Sequence, residues 1–388
     1  MNRRRFLSMG CVCCLNLIPG ISLAQSDSWP DWQIPPRFAR PDLSSDEGGL
    51  WALMDREEKR VRQSPFCIRD PQLHDYVLDI ICRLGGDHCP DIRAYVMHNP
   101  IFNAMMAPNG MMQVWTGLML RIDNEAQLAA VLGHELGHYF SRHSIDQLRD
   151  AESRSAFAQF FGIFGLVGAV GQIAAIAGAF AHSREHERVA DRIGLELMSK
   201  AGYDPAEAAK VWENLLVELK ASPNEDPTRE NPMFATHPPA DERRETLARL
   251  VEAHPGGVTN EATWLDKMAP YRREWLDDEI KRSQHEQSIA LLNRLISRSP
   301  SQPDYLFARA EVRRLRSNDT DLDQAINDYK SAISLGNAPP ESYRGLGMIY
   351  MARKQTEEAR TNLGHYLDLS PASPDGLMIK SYIEEMKI

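Results

Sequence analysis

Positive charge is in short supply in this chain. Its 44 lysines and arginines face 54 aspartates and glutamates, a formal net charge of −10. A nucleic-acid binder presents a basic face, so this balance argues against nucleic acid as a partner. Cysteine is scarce as well, with six in 388 residues. Long apolar runs are nearly missing. Beyond the first residues the long windows without a formal charge are Ser155 to Ser183, which is mostly apolar, and Ala94 to Leu120, which prolines and asparagines interrupt. A helical crossing of a bilayer takes about 20 apolar residues. A bundle of several spanning helices is therefore unavailable.

The N-terminus is where basic charge collects. "MNRRRFLSMGCVCCLNLIPGISLAQS" has three arginines, a short apolar run and then Ser22-Leu23-Ala24. That is the pattern of a secretory signal, residues 1–24, cleaved before Gln25. The arginines followed by Phe6-Leu7 are similar to a twin-arginine signal. Residues 1–24 hold three arginines and no acid, so the exported chain is more acidic still. Cys11, Cys13 and Cys14 leave with the signal. Cys67, Cys82 and Cys89 remain, and in an oxidising compartment two of them are expected to pair. Cys82 and Cys89 flank "RLGGDH", whose glycines allow a tight reversal, so they are the expected pair.

Residues 25–45, rich in Pro, Ser and Asp, read as a linker. A helical pattern follows from Asp46 to about Arg62, and "PQLHDYVLDIICRLG" is a second amphipathic helix. "IRAYVMH" alternates as a strand, and "MMQVWTG" reads as another after a turn at Pro108-Asn109-Gly110. Asp123 or Asn124 caps a helix through "EAQLAAVLGHELGHYFSRHS". Asp204-Pro205 opens the helix "PAEAAKVWENLLVEL", and "SPNEDPTRENPMFATHPPADERR" reads mostly as loop. Few strands among many helices predict an α+β domain, mainly helical with a small sheet, over residues 46–255. Residues 256–282 connect it to an all-α segment, 283–388. There an offset of 34 maps Ala325 onto Ala359, Leu335 onto Leu369 and Pro340 onto Pro374. Tyr343, Leu346, Gly347 and Tyr350 fall at tetratricopeptide-repeat (TPR) positions, with Ala359 and Pro371 at later ones. An unrelated pair of helical hairpins is the alternative. TPR units expose concave surface for protein partners and do no chemistry.

The informative stretch is "GHELGH". His134 and His138 stand four residues apart and leave the same helix face. Two imidazoles so placed can share one zinc ion. Glu135, one residue on, is the candidate base that takes a proton from the attacking water and hands it to the leaving amine. Two solvated histidines on a surface helix are the alternative, but Leu132, Gly133, Leu136 and Gly137 set the motif in an apolar segment. Catalytic zinc takes three protein ligands. "SREHERVADRIG" offers Glu187 and Asp191, four apart on a second helix. Glu187 as ligand, with Asp191 orienting a histidine ring, makes a His₂Glu site. Arg184, Arg188 and Arg192 fit an exposed charged helix equally well.

"HELGH" followed by "SREHERVAD" resembles the HtpX-like and CAAX prenyl protease family of gluzincins, whose pattern is H-E-x-x-H, then S-R-x-x-E-x-x-A-D. "FNAMMAPNG" is similar to the family's Asn-Ala…Pro-Gly-Gly segment, and "THPPADERR" to its Thr-His-Pro…Arg segment. The resemblance spans roughly residues 46–252. It implies a zincin-like metallopeptidase domain with one Zn2+ per chain, held by His134, His138 and Glu187. It implies that His237 and Arg243 approach from a later loop. His237 would steady the oxyanion or sit in the open metal position as a latch; Arg243 would anchor that loop or contact substrate. Asn103 and Ala104 would lie on a strand that pairs with substrate backbone. This chain departs from the pattern at Asn109, where the family has Gly, and at Met105, where it has an aromatic. His143, five residues past His138 and turned away, reads as structural. With leader and repeats, the architecture is similar to the family's periplasmic BepA-like branch, which tends outer-membrane protein assembly.

His138 and Glu187 must reach one ion, yet the charge-free window lies between them. A single crossing would part them by about 30 Å of hydrocarbon. Residues 157–181 are therefore expected to enter and return as a helical hairpin, partly core and partly exposed, touching a membrane surface or an unfolded client. The expected protein is a periplasmic zinc endopeptidase that cleaves protein or unfolded-polypeptide substrates. Its TPR-like helices would choose clients or dock to outer-membrane assembly machinery. A rival reading is a chaperone or adaptor whose proteolysis is minor or latched. An integral-membrane prenyl protease is disfavoured by the lack of spans.

Overall fold

The structure, a computed structural model, describes residues 32–150, 182–222, 233, 237, 240–252, 256–318 and 320–386. The expected signal, its cleavage point and residues 157–181 lie outside these. Local signals set the first elements. Helix α1 (Asp46–Gln63) is capped by Ser45, whose side chain accepts from Gly48 N–H. Asp46 and Glu47 in its first turn and Arg60 and Arg62 in its last suit the helix dipole. Helix α2 (Pro71–Gly85) is capped by Asp70, begins with a proline and ends at Gly86, whose φ of 53° favours glycine. Its Leu73, Val77, Ile80, Ile81 and Leu84 are buried together.

The sheet is small and mixed. Strands β1 (Cys67–Ile68), β2 (Arg93–Met97), β3 (Ala104–Met106) and β4 (Met111–Trp115) lie in the order β1-β2-β4-β3. Only β2 and β4 run parallel, with Tyr95 opposite Gln113. β3 is an edge strand, with Ala104 opposite Val114. β1 and β3, of two and three residues, are too short to show an alternation in sequence.

Helix α3 (Thr116–Arg121) leads into α4 (Glu125–Phe140), where the Asn124 side chain accepts from Gln127 N–H. Then come α5 (His143–Asp150), α6 (Arg184–Lys200), α7 (Ala206–Lys220) and α8 (Ala240–Val251). Nearly every residue of α4 is buried. Its Gly133 lies against Gly194 of α6, and its Gly137 against Ala190, where backbone meets backbone. The missing side chains allow this close approach.

The remaining described elements are α9 (Glu261–Met268), α10 (Arg272–Lys281), α11 (His285–Arg298), α12 (Pro303–Arg316), α13 (Asp321–Ser334), α14 (Glu341–Ala352), α15 (Thr356–Leu369) and α16 (Gly376–Glu385). Residues 256–282, read as a connection, thus hold two helices. Phe307, Ala310, Ala325, Tyr329, Leu346 and Ile349 share one core. Leu363, Tyr366 and Ile379 form the next. A buried ion-pair network ties these helices to the earlier ones. Arg121 donates to Glu218 on α7 and to Glu279 on α10, each at 2.8 Å. Arg294 of α11 donates to the Arg121 carbonyl at 2.7 Å and pairs with Glu218 and Asp123. From Ile34 onward the described residues accordingly form one compact unit. The protein is mainly helical with a small mixed sheet, consistent with an α+β protease domain. No helix among the described residues is long and apolar enough to cross a membrane.

Candidate metal and active site

Two helices and one later residue converge on a point. The H-E-x-x-H face of α4 carries His134 and His138, with their Nε2 atoms 3.0 Å apart. Glu187, in the first turn of α6, brings Oε2 to 3.4 Å from His134 Nε2 and Oε1 to 3.3 Å from His138 Nε2. His237 adds Nδ1 at 2.8 Å from Glu187 Oε1 and 3.2 Å from His134 Nε2. All four side chains are buried. A tetrahedral zinc ion with ligands at about 2.1 Å has donor atoms about 3.4 Å apart. The separations seen here, with the N, N, O, N donor set, fit that ion. The Glu187 Oε2 and Glu135 Oε1 atoms are buried and have no hydrogen-bond partner. Such orphaned carboxylate oxygens are costly unless a cation or water faces them.

The surroundings polarise the cluster. His134 Nδ1 lies 2.9 Å from Asp191 Oδ1. Burial and the Arg243 cation oppose protonation of His134, yet Asp191 and Glu187 push its pKa up to about 9. His138 goes the other way: burial and then the neighbouring His182 hold it well below the ordinary value. Burial opposes ionisation of Glu187, but His237, with His134 and His138 close by, holds its carboxyl far below the usual range. Asp191, also buried, is held down by Arg243 and His134. Glu135 sits beside the four donors, its Oε1 3.6 Å from His237 Nε2. Its pKa is raised by burial.

Arg243 lies against the same cluster, its Nη2 2.8 Å from His134 Nδ1 and 3.2 Å from His134 Nε2, and its Nη1 3.6 Å from Glu187 Oε2. It donates to Asp191 Oδ2 at 3.1 Å and Oδ1 at 2.5 Å, and its guanidinium stacks 3.8 Å over the Trp212 ring. These contacts are those of an anchor that fixes Asp191. Asn103 and Ala104 are both buried. Ala104 opens the edge strand β3, which packs on α4, and Asn103 precedes it, its carbonyl accepting from Trp115 N–H at 3.1 Å. Asn109 keeps a place in the turn by donating to Asp55 at 3.0 Å and Glu58 at 3.2 Å. Cys82 and Cys89 form a disulfide, and Cys67 is free and buried.

One expectation is overturned. His143 is not turned away from the site: its Nδ1 lies 2.9 Å from His138 Nδ1. Helix α4 stops at Phe140, and Arg142 takes a left-handed φ of 57°, so helical periodicity no longer sets the direction of His143. His182 and His186 join it: His182 stacks on His138 and His186 on His143. Their motif spacing carried no hint of this, although the "SRH" and "HSREH" clusters of histidine near the ligands were visible.

Residues 68–251 match Peptidase family M48. The chain is similar to the "Beta-barrel assembly-enhancing protease" of Escherichia coli (strain K12), 26% identical over 234 residues, 53% of this chain and 47% of that protein. It is also similar to the "Mitochondrial metalloendopeptidase OMA1" of Arabidopsis thaliana, 34% identical over 123 residues, 31% of this chain and 25% of that one. The "Metalloendopeptidase OMA1, mitochondrial" of Bos taurus is 30% identical over 169 residues, covering 40% and 32%. The chain thus spans at most about half the length of these relatives. The match over residues 68–251 and the donor set together support a zinc metallopeptidase domain similar to those of family M48.

Proposed function

We propose that the chain is an exported zinc metalloendopeptidase that cleaves protein substrates in envelope or outer-membrane protein quality control. The observation that carries this reading is the meeting of His134, His138 and Glu187 with Glu135 alongside. His134, His138 and Glu187 hold the zinc. When bound, that ion supplies the Lewis acid for hydrolysis. Glu135 removes the proton from the attacking water and passes it to the leaving amine nitrogen. Asp191, clamped by Arg243, orients the His134 ring. The edge strand from Ala104, with Asn103 before it, receives substrate backbone.

His237 takes the fourth donor position in this structure, and we assign it the role of a latch that substrate must displace. Export is supported by the leader pattern and by the Cys82–Cys89 disulfide, which suits an oxidising compartment. Residues 46–255 would be the peptidase domain, 256–282 the connection and 283–388 TPR-like helices that select clients or dock to assembly machinery. Residues 157–181 would touch membrane or client. The latch position of His237 also favours a second reading, a client-binding protein whose proteolysis rests switched off.

The test uses purified full-length protein. Wild type is expected to hold one zinc per chain and to cleave casein or itself. Glu135→Gln is expected to retain the zinc and lose cleavage, by about 10²–10⁴-fold, the contribution of a general base. Equal cleavage by both proteins, or no stoichiometric zinc, would sink the enzyme reading. Full client protection by Glu135→Gln would add the binding role.

A further inference from the structure

We propose that His143 is the positioning residue for His138: its Nδ1 accepts the proton borne on His138 Nδ1 and so leaves His138 Nε2 free to bind metal. The inference rests on the reading of His134, His138 and Glu187 as zinc ligands. A neutral imidazole carries one ring proton, and the partner of one nitrogen decides which nitrogen keeps it. His138 Nε2 faces His134 Nε2 and Glu187 Oε1. Its other nitrogen faces His143 Nδ1 at 2.9 Å, with both rings buried. At that distance one nitrogen must donate and the other accept. With His138 as donor, Nε2 offers its lone pair to the metal, and His143 carries its own proton on Nε2.

His134 has the matching arrangement at its own Nδ1, where Asp191 Oδ1 lies 2.9 Å away. The two ligand rings are therefore oriented by different partners, an anion for one and a neutral ring for the other. A histidine acceptor adds no charge to a pocket that already buries Glu135, Glu187 and Asp191. His143 is itself held in place. The left-handed turn at Arg142 delivers it, and the His186 ring stacks on it at 4.1 Å with planes 10° apart.

A competing assignment for the same residues is a second metal site. Ring nitrogens of His138, His143 and His182 lie within 4.8 Å of one another. Yet the His138 and His182 rings are stacked, centroids 3.8 Å apart and planes at 27°. An imidazole lone pair lies in its ring plane, so one ion cannot lie in both planes. The hydrogen bond is the reading that this geometry allows.

The experiment measures zinc affinity by chelator competition on the full chain, together with the visible spectrum after Co2+ substitution. Wild type should hold one zinc. His143→Ala should bind zinc about 10–100-fold more weakly, the usual cost of losing the partner of a ligand ring, and alter the Co2+ spectrum. His143→Asn, whose amide oxygen can accept from His138 Nδ1–H, should recover most of that loss. A merely structural role would shift the melting temperature without this pattern of loss and rescue. If His143→Ala does not fold, His143→Leu fills the space without an acceptor and takes its place against His143→Asn. The proposal is overturned if the acceptor-free variant binds zinc like wild type, or if Asn binds as weakly as it does. It is also overturned if wild type takes two ions and loses one with His143. Wild type binding no zinc would instead bring down the zinc-site reading and this inference with it.

Discussion

Replacing Gly137 by alanine tests the contact that brings the two halves of the metal site together. In an ordinary helix interior this change stabilises by about 1 kcal/mol. Here the added Cβ would lie 2.8 Å from both Cα and O of Ala190, backbone atoms that no rotamer change can move. Carbon atoms rest comfortably at about 3.5–4.0 Å, so α4 and α6 must part locally by about 0.7 Å or more. Forcing extra volume into such packing costs about 1–3 kcal/mol, which leaves a net loss of about 1 kcal/mol. The larger effect is on metal. Ala190 sits three residues after Glu187 on α6, so separation draws that carboxylate away from His134 and His138. Metal sites tolerate about 0.2 Å of error, so zinc affinity should drop roughly tenfold or more. Thermal melts with and without zinc, and a zinc titration, read both effects. The control is Gly364 in α15, where a Cβ meets nothing within 4 Å and alanine should stabilise by up to about 1 kcal/mol. A Gly137→Ala protein that melts at or above wild type and binds zinc equally well would refute the reasoning.

Two further outcomes are expected. His237→Ala should keep zinc and raise the kcat/KM for a short peptide, since the fourth position is then open; unchanged or lower turnover would remove the latch and favour an oxyanion role. Glu279 is buried, which opposes ionisation, but Arg121 and Arg282 draw its pKa down to about 2. Its pKa in the unfolded chain is about 4.3, so its contribution is complete above that pH and is lost as pH falls toward about 2. Melting temperature should therefore fall more steeply between about pH 4.5 and 2.5 in wild type than in Glu279→Gln, and equal slopes would show that the pairing is energetically empty.

Much of the site was readable because its chemistry is local. His134, Glu135 and His138 lie on one turn-and-a-bit of helix, so spacing alone places them together. Asn124 and Asp70 announce helix starts by the same kind of local bonding. The second helix was ambiguous: Arg184, Arg188 and Arg192 suit a solvated face, and nothing in the linear pattern says that Glu187 and Asp191 are buried. β1 stayed hidden because two residues cannot display a period, and β3, of three, was anticipated only through the family resemblance.

What the amino-acid order determined by itself is the shared face of His134 and His138 on α4, the helical character of the chain and the pattern of helices beyond residue 282. These follow from periodicity and capping, which act over a few residues. Only the tertiary structure decided that α4 and α6 meet at Gly137 and Ala190, that Arg243 clamps Asp191 rather than reaching outward, and that His143 returns to touch His138. Those facts depend on how far two backbones can approach and on one left-handed turn at Arg142, which no spacing rule encodes.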